Sequence, residues 1–270
     1  MTSTRNLSVA LVQWLPTPGA PDDNLAEAVA LIRDAANQGA DVIVLSELWL
    51  CGYDAARLAS DAVAAAEPIP GPRSSVLQAL AAELGVWLVA GSIPESGDGG
   101  VYNTAVVFNR QGTIVAMHRK QHLYEPTGED KIFLAGDSVT TFHDDELGTV
   151  GLTVCFDGDF PTTAAALAER GADLIFQVNA YEVEAESYWD TYYPGAAISQ
   201  GQWWVLCNQC GTNDSGTILG ASRIIAPTGV VVAEATRAGL GETPAGMILS
   251  GAIMDTDETR EAQGFSAMLR

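Results

Sequence analysis

The chain has 270 residues, enough to bury a substantial core in one large domain or two small ones. With 47% hydrophobic residues it has the composition of a globular protein, and no stretch is apolar for long enough to span a bilayer as a helix. Thirteen basic residues against 34 acidic ones, a formal charge of -21, argue against nucleic acid or an anionic membrane as partner, and the spread of the acids reads as solubility or salt adaptation.

Taken in chain order, LSVALVQ near the N-terminus reads as a first strand rather than a signal peptide, which predicts a cytoplasmic protein. DDNLAEAVALIRDAANQG follows as an amphipathic helix, with acids at its start and Gly39 as its stop. DVIVL is a short buried strand. PRSSVLQALAAELG repeats the helical pattern, with Pro72 early and Gly85 at its end. VWLVAGS is a further strand, and PESGDGG (94–100) reads as a flexible surface turn. VYNTAVVFNRQGTIVAMHR reads as a hairpin turning at Arg110, Gln111 and Gly112.

The second half repeats this grammar: strand GTVGLTV, helix TTAAALAERG, strand DLIFQVN, a helix within 184–202, and strand WWVLCNQ. The hairpin ASRIIAPTGVVVAEA turns at Pro227, Thr228 and Gly229, and MILSGAIMD holds a last strand. Alternating strands and helices predict an α/β protein whose helices cover its sheets. Hairpins in both halves argue against an all-parallel sheet. No linker divides the chain, so one domain of two similar halves is expected over 1–270. Its core spans about 7–254, with 255–270 as a C-terminal extension.

Three polar residues each stand just beyond an apolar strand: Glu47 after DVIVLS, Lys120 after TIVAMHR and Cys155 after GLTV. Side chains at such strand ends project into the crevices where α/β proteins bind ligands. Their chemistry is complementary. A carboxylate takes the proton of a thiol, and an ammonium stabilises both a thiolate and an oxyanion. Taken singly, each residue reads more simply as a buried thiol or a solvated charge. The other thiols make no framework. Cys207 and Cys210 form one C-x-x-C without a second ligand pair, and neither a metal nor another cofactor is expected. His118 and His122 share an extended face with Lys120 and read as structural or solvated, and His143 shows no partner.

The segments VIVLSELWLCGYD, HRKQHLY and GLTVCFDGDFP resemble, in order and spacing, the three signature blocks of the nitrilase superfamily of carbon–nitrogen hydrolases. GADLIFQVNA, WWVLCNQCG and the second hairpin extend the likeness over about residues 7–254. The resemblance implies a four-layer α-β-β-α sandwich, a Glu–Lys–Cys triad of Glu47, Lys120 and Cys155, and a homodimer or higher homo-oligomer. It also implies an accompanying Glu ahead of an F-x-x-G pattern. Glu129, with Phe133 and Gly136, fits that spacing better than Glu125.

Departures appear at Thr162, where relatives often have Glu, and in YYPGAAISQGQ, where Pro194 predicts a shortened or kinked helix. Phe156-Asp157 after the cysteine, in place of the Trp-Glu of nitrilases, points to the amidase and carbamoylase branches. The implied reaction cleaves a small amide to acid and ammonia through a thioester on Cys155. Glu47 acts as base, Lys120 and the Phe156 N–H hold the oxyanion, and Glu129 orients Lys120 or the substrate. A carbamoyl amine is the alternative substrate, then a nitrile, and a silent scaffold is the remaining reading. Tyr53, Phe156, Tyr181, Glu182 and Trp189 are the candidates for binding substrate. An acid in that pocket would favour an amine-bearing substrate, although the acidic stretch 179–193 also reads as a solvated loop.

Overall fold

The computed structural model describes residues 6–238, 247–255 and 257–269. The first half runs β1 (Asn6–Gln13), α1 (Pro21–Asn37), β2 (Val42–Val44), α2 (Leu58–Ala65), α3 (Pro72–Leu84), β3 (Trp87–Gly97), β4 (Gly100–Phe108) and β5 (Ile114–Arg119). The second half runs β6 (Thr140–Asp144), β7 (Gly148–Val154), α4 (Pro161–Glu169), β8 (Leu174–Asn179), α5 (Glu186–Gln200) and β9 (Trp203–Asn208). It continues through the short pair β10 (Cys210–Asn213) and β11 (Gly216–Leu219), then β12 (Arg223–Ile225), β13 (Val231–Glu234), β14 (Met247–Met254) and α6 (Asp257–Leu269).

The described strands build two six-stranded sheets, ordered β14-β1-β2-β3-β4-β5 and β13-β12-β9-β8-β7-β6. In each, three central strands are parallel and the flanking pairs are antiparallel. One sheet therefore repeats the order and directions of the other, with β1, β2 and β3 answering to β7, β8 and β9.

Alternation along the strands sorts the side chains into layers. Val9 and Leu11 of β1 and Val42 and Val44 of β2 meet Val150, Leu152 and Val154 of β7 and Phe176 and Val178 of β8 between the sheets. Ala10, Val12 and Ile43 face the other way, against Leu31 and Ile32 of α1 and Leu77 and Leu80 of α3. Ile175, Trp204 and Ile225 carry Leu167 of α4 and Trp189 and Tyr193 of α5. The result is an α-β-β-α sandwich. Its strands read as continuous apolar runs because both faces are covered.

The structure departs from the sequence reading in several elements. Helix α5 does not stop at Pro194 but continues over 15 residues, with Trp189, Tyr193, Ala196 and Ala197 burying one face on the second sheet. The stretch 94–100 is mostly strand. Glu95 is buried there, accepting hydrogen bonds from Thr104 Oγ1 (2.6 Å) and Arg119 Nη2 (2.6 Å), and only Asp98 and Gly99 turn. The C-terminal extension is a helix, α6, and Ser266 Oγ ties it to the Ile198 carbonyl of α5 at 2.7 Å. Helix α2, strand β6 and the β10–β11 pair carry too little periodicity to be anticipated.

One backbone feature positions the site directly. Strand β3 bulges between Val89 and Ser92, and Gly91 takes φ +62°. A Cβ there would stand 2.1 Å from the Ser46 carbonyl oxygen, next to Glu47. Only glycine combines that φ with so close an approach. Gly91→Ala is expected to lower stability by about 2–4 kcal/mol, read from urea unfolding. An unchanged midpoint would show that the segment 45–48 moves aside freely.

Candidate active site

Lys120 follows β5 and is wholly buried. Its N–H donates to Asn103 O on β4 and its carbonyl accepts from Gly136 N–H, both at 2.8 Å. This locks the backbone and aims the side chain between two carboxylates. Nζ donates to Glu47 Oε1 at 2.8 Å and to Glu129, 2.9 Å from Oε1 and 2.8 Å from Oε2. Asn103 Nδ2 adds a second donor to Glu47 Oε1 at 2.9 Å. Glu129 also accepts from Tyr53 OH at 2.8 Å and from Tyr124 N–H at 2.9 Å. Glu125, the alternative, is exposed.

Two carboxylates and one ammonium leave one formal negative charge in a space closed to water. Burial raises the Glu47 carboxyl above its ordinary value, against the opposing pull of Lys120 and with help from Glu129. Burial alone would lower Lys120, but Glu129 and Glu47 outweigh it and hold the ammonium well above the usual lysine value. Glu47 Oε2 is buried and, beside the neighbouring Cys155 thiol, has no hydrogen-bond partner among the described residues. It is the one oxygen of the pair of acids left available.

Cys155 closes β7 at φ +46° and opens a 3-10 turn over 155–159. That left-handed conformation in a non-glycine residue is strained, as is the turn at Leu48 (φ +44°) just after Glu47. The Glu47–Leu48 elbow is held from outside. Leu48 N–H donates to Ser92 Oγ at 2.9 Å, and Gln209 Nε2 to the Glu47 carbonyl at 2.6 Å. The Cys155 thiol stands beside Glu47 and stabilises its charged form. Burial, and then the charge of Glu47, push the thiol well above its ordinary value. The resting group is therefore a neutral thiol next to the Glu47 carboxyl.

Asp157 staples the two loops together. Its Oδ2 accepts from Val154 N–H (3.2 Å) and lies 2.9 Å from His118 Nε2. Its Oδ1 accepts from the N–H groups of Gln121 (3.0 Å) and His122 (2.8 Å) and lies 3.0 Å from His122 Nδ1. Burial is overcome by these partners, and the carboxyl is held below its usual value. The two histidines around Lys120 are thus structural, and their shared work is to hold the cysteine turn against the lysine loop. The adjacent Gly158 lies against Gln177, where a Cβ would stand 1.8 Å from Oε1.

Cys155 opens into a cavity of about 530 Å³. Tyr53, Phe156, Tyr181 and Glu182, four of the candidates for binding substrate, line it. Trp189 does not. It is fully buried on α5, donates Nε1–H to the Ala221 carbonyl at 3.2 Å and packs behind Tyr181 with ring centroids 5.0 Å apart. A one-residue turn of the helix sends it to the sheet, while its neighbour Tyr188 faces the cavity. Tyr124, Asp159 and Glu184 also line the cavity and were missed, as was Asn103 beneath it. Asn103 carried one signal, a lone amide inside the apolar run of β4. The other three lie in turns without periodicity.

With this geometry, comparison with known proteins decides the family. A family model described as carbon–nitrogen hydrolase matches residues 8–261. The chain belongs to the carbon–nitrogen hydrolase family. It is a hydrolase acting on carbon–nitrogen bonds other than peptide bonds. Omega-amidase NIT2 of Homo sapiens is 33% identical over 245 residues, covering 87% of this hydrolase and 85% of the relative. Omega-amidase NIT2 of Danio rerio is 32% identical over 223 residues, covering 79% and 78%. Among solved structures, Nit3 of Saccharomyces cerevisiae, a member of the nitrilase superfamily, superposes with a TM-score of 0.83 at 25% identity, covering 98% of this chain and 94% of that one. An amidase from Nesterenkonia sp. shares the fold with a TM-score of 0.79 at 24% identity, over 97% and 95% of the two chains.

Asp157→Asn keeps the shape of the staple but turns an NH2 toward backbone N–H groups, whichever way the amide lies. The hydrolase is expected to lose about 2–4 kcal/mol at neutral pH, measured by urea unfolding. Because the native Asp157 carboxyl is depressed, its stabilising contribution is complete above the ordinary value of 3.8 and fades as pH falls below it. The gap between wild type and variant should therefore narrow in acid. A gap independent of pH would assign the loss to shape rather than charge.

Proposed function

We propose that this hydrolase is a cysteine amidase that cleaves a small primary amide to the carboxylic acid and ammonia. The observation that carries the reading is the Glu47 carboxylate. Its Oε1 is pinned by Lys120 and Asn103, the Cys155 thiol lies beside the carboxyl, and the buried Oε2 takes no hydrogen bond from any other described residue. The relatives named omega-amidases support an amide as substrate.

Glu47 Oε2 takes the S–H proton as Sγ attacks the amide carbon, and the carbonyl π electrons move to oxygen. Lys120 and the N–H of Phe156, at the open start of the 155–159 turn, stabilise that oxyanion. Collapse expels the nitrogen, which leaves as ammonia with the proton from Glu47, and a thioester remains on Cys155. Glu47 then deprotonates a water that attacks the thioester carbon. The acid leaves, and the proton returns to sulfur. Glu129 holds the Lys120 ammonium in place and, through Tyr53, fixes one wall of the cavity. Self-association belongs to the same reading. Exposed Ile198 on α5 and Phe265 and Met268 on α6 support it, and light scattering tests it.

Cys155→Ala is expected to lower ammonia release from the best amide of a panel by roughly a thousandfold or more, with unfolding unchanged. A variant as active as the parent would end the Cys155 mechanism. Release of carbon dioxide with the ammonia would move the assignment to carbamoyl amines, and turnover of nitriles alone would move it to a nitrilase.

The pH dependence offers a separate check. The base works when ionised, and its native value is raised. The acid limb of kcat/KM is expected above the ordinary carboxyl value of 4.5, with activity rising as pH increases through it. A limb at or below 4.5 would remove Glu47 from that role.

A further inference from the structure

The cavity before Cys155 has an unusual charge balance. Asp159, Glu182 and Glu184 line it, and no Lys, Arg or His is among its described lining residues. Asp159 is already engaged, accepting from Tyr181 OH and Tyr193 OH at 2.6 Å each. Glu182 and Glu184 form no ion pair among the described residues. Burial, and then the neighbouring charge of Glu184, raise the Glu182 carboxyl. The guanidiniums that reach α5 are spent elsewhere. Arg223 pairs with Asp190 and Glu234, and Arg237 with Glu186, Asp190 and Glu234.

Aromatic rings complete the surface. Phe156 stands edge-on between Tyr124 and Phe160, with centroids 5.2 and 5.1 Å away, and Tyr188 closes the wall carrying Glu184. π faces attract ammonium groups and add nothing for carboxylates. The acids are not an isolated surface cluster. They share a cavity with the Cys155 thiol, next to a buried carboxylate oxygen, Glu47 Oε2, that has no other partner among the described residues.

We infer that the preferred substrate is a cationic amide, a primary amide at Cys155 joined by a short apolar chain to an ammonium held by Glu182, Glu184 and the surrounding aromatic rings. This rests on the amidase reading and deepens it. A distal carboxylate would enter a cavity of its own sign and is selected against.

The test compares three matched amide series on the full-length protein, with about three to five methylenes between the ends, a span suited to a cavity of this size. The distal group is ammonium, methyl or carboxylate. The ammonium series is expected to have a kcat/KM about tenfold or more above the methyl series, with the carboxylate series lowest. Raising the salt concentration should compress the order. The double variant Glu182→Gln, Glu184→Gln should lower the ammonium-to-methyl ratio about tenfold, chiefly through KM.

Methyl or carboxylate amides cleaved as well as ammonium amides would overturn the inference and leave the amidase reading standing. A ratio unchanged in the double variant would also overturn it. No turnover in any of the three series would overturn both.

Discussion

Everything at the centre of this molecule is arranged around a single buried ammonium. Lys120 has no water to solvate it, so its charge must be met by groups built into the fold, and Glu47 and Glu129 meet it from different loops. Neither carboxylate is sustainable there without the lysine. Each needs further donors, and Asn103, Tyr53 and the Tyr124 N–H supply them. The cost of burying these charges is offset only when all of them are in register, so the cluster ties together the loops that follow β2 and β5. Its formal charge sum is negative by one, and burial raises the Glu47 carboxyl above its ordinary value.

The geometry around that cluster comes from strand ends and strained turns rather than from helices. β2 and β7 lie in different sheets of the repeated architecture, and their C-terminal elbows bring Glu47 and Cys155 together across the sandwich. Positive φ at Leu48 and Cys155 is tolerated because rigid sheets anchor both elbows. Asp157 carries that rigidity from the cysteine turn into the lysine loop through five polar contacts. The deep core is thus charged and preorganised, and the adaptable part of the site is confined to the aromatic and acidic wall of the cavity. Tyr53 and Tyr124 join the two, since both touch Glu129 and line the cavity.

Much of this was legible in the residues. The period-2 and helical patterns located α1, α3, α4 and the central strands, because continuous burial on both faces leaves an unmistakable apolar run. Three blocks resembling one family marked Glu47, Lys120 and Cys155, and spacing to Phe133 chose Glu129 over Glu125. The structure adds the contacts that no spacing can show. Among them are the convergence of His118 and His122 on Asp157, the Asn103 amide on Glu47, and the choice of Tyr188 over Trp189 for the cavity wall. That last choice turns on which side of α5 meets the sheet, and both neighbours are aromatic, so hydrophobicity alone does not separate them. Pro194 does not end the helix for a related reason. A local rule about helix breaking yields when four buried side chains on the same helix favour continuity.

By itself, the sequence determined the layered α/β class, the order of the elements and the chemical types available at three strand ends, since these follow from local periodicity and from residues near one another in the chain. Only the tertiary structure decided that the thiol lies beside the Glu47 carboxyl, and that the acids in the cavity before it have no cation among the described lining residues. Those facts depend on distances between segments more than a hundred residues apart. They are properties of how two sheets pack, and packing is settled by the burial of the whole chain at once.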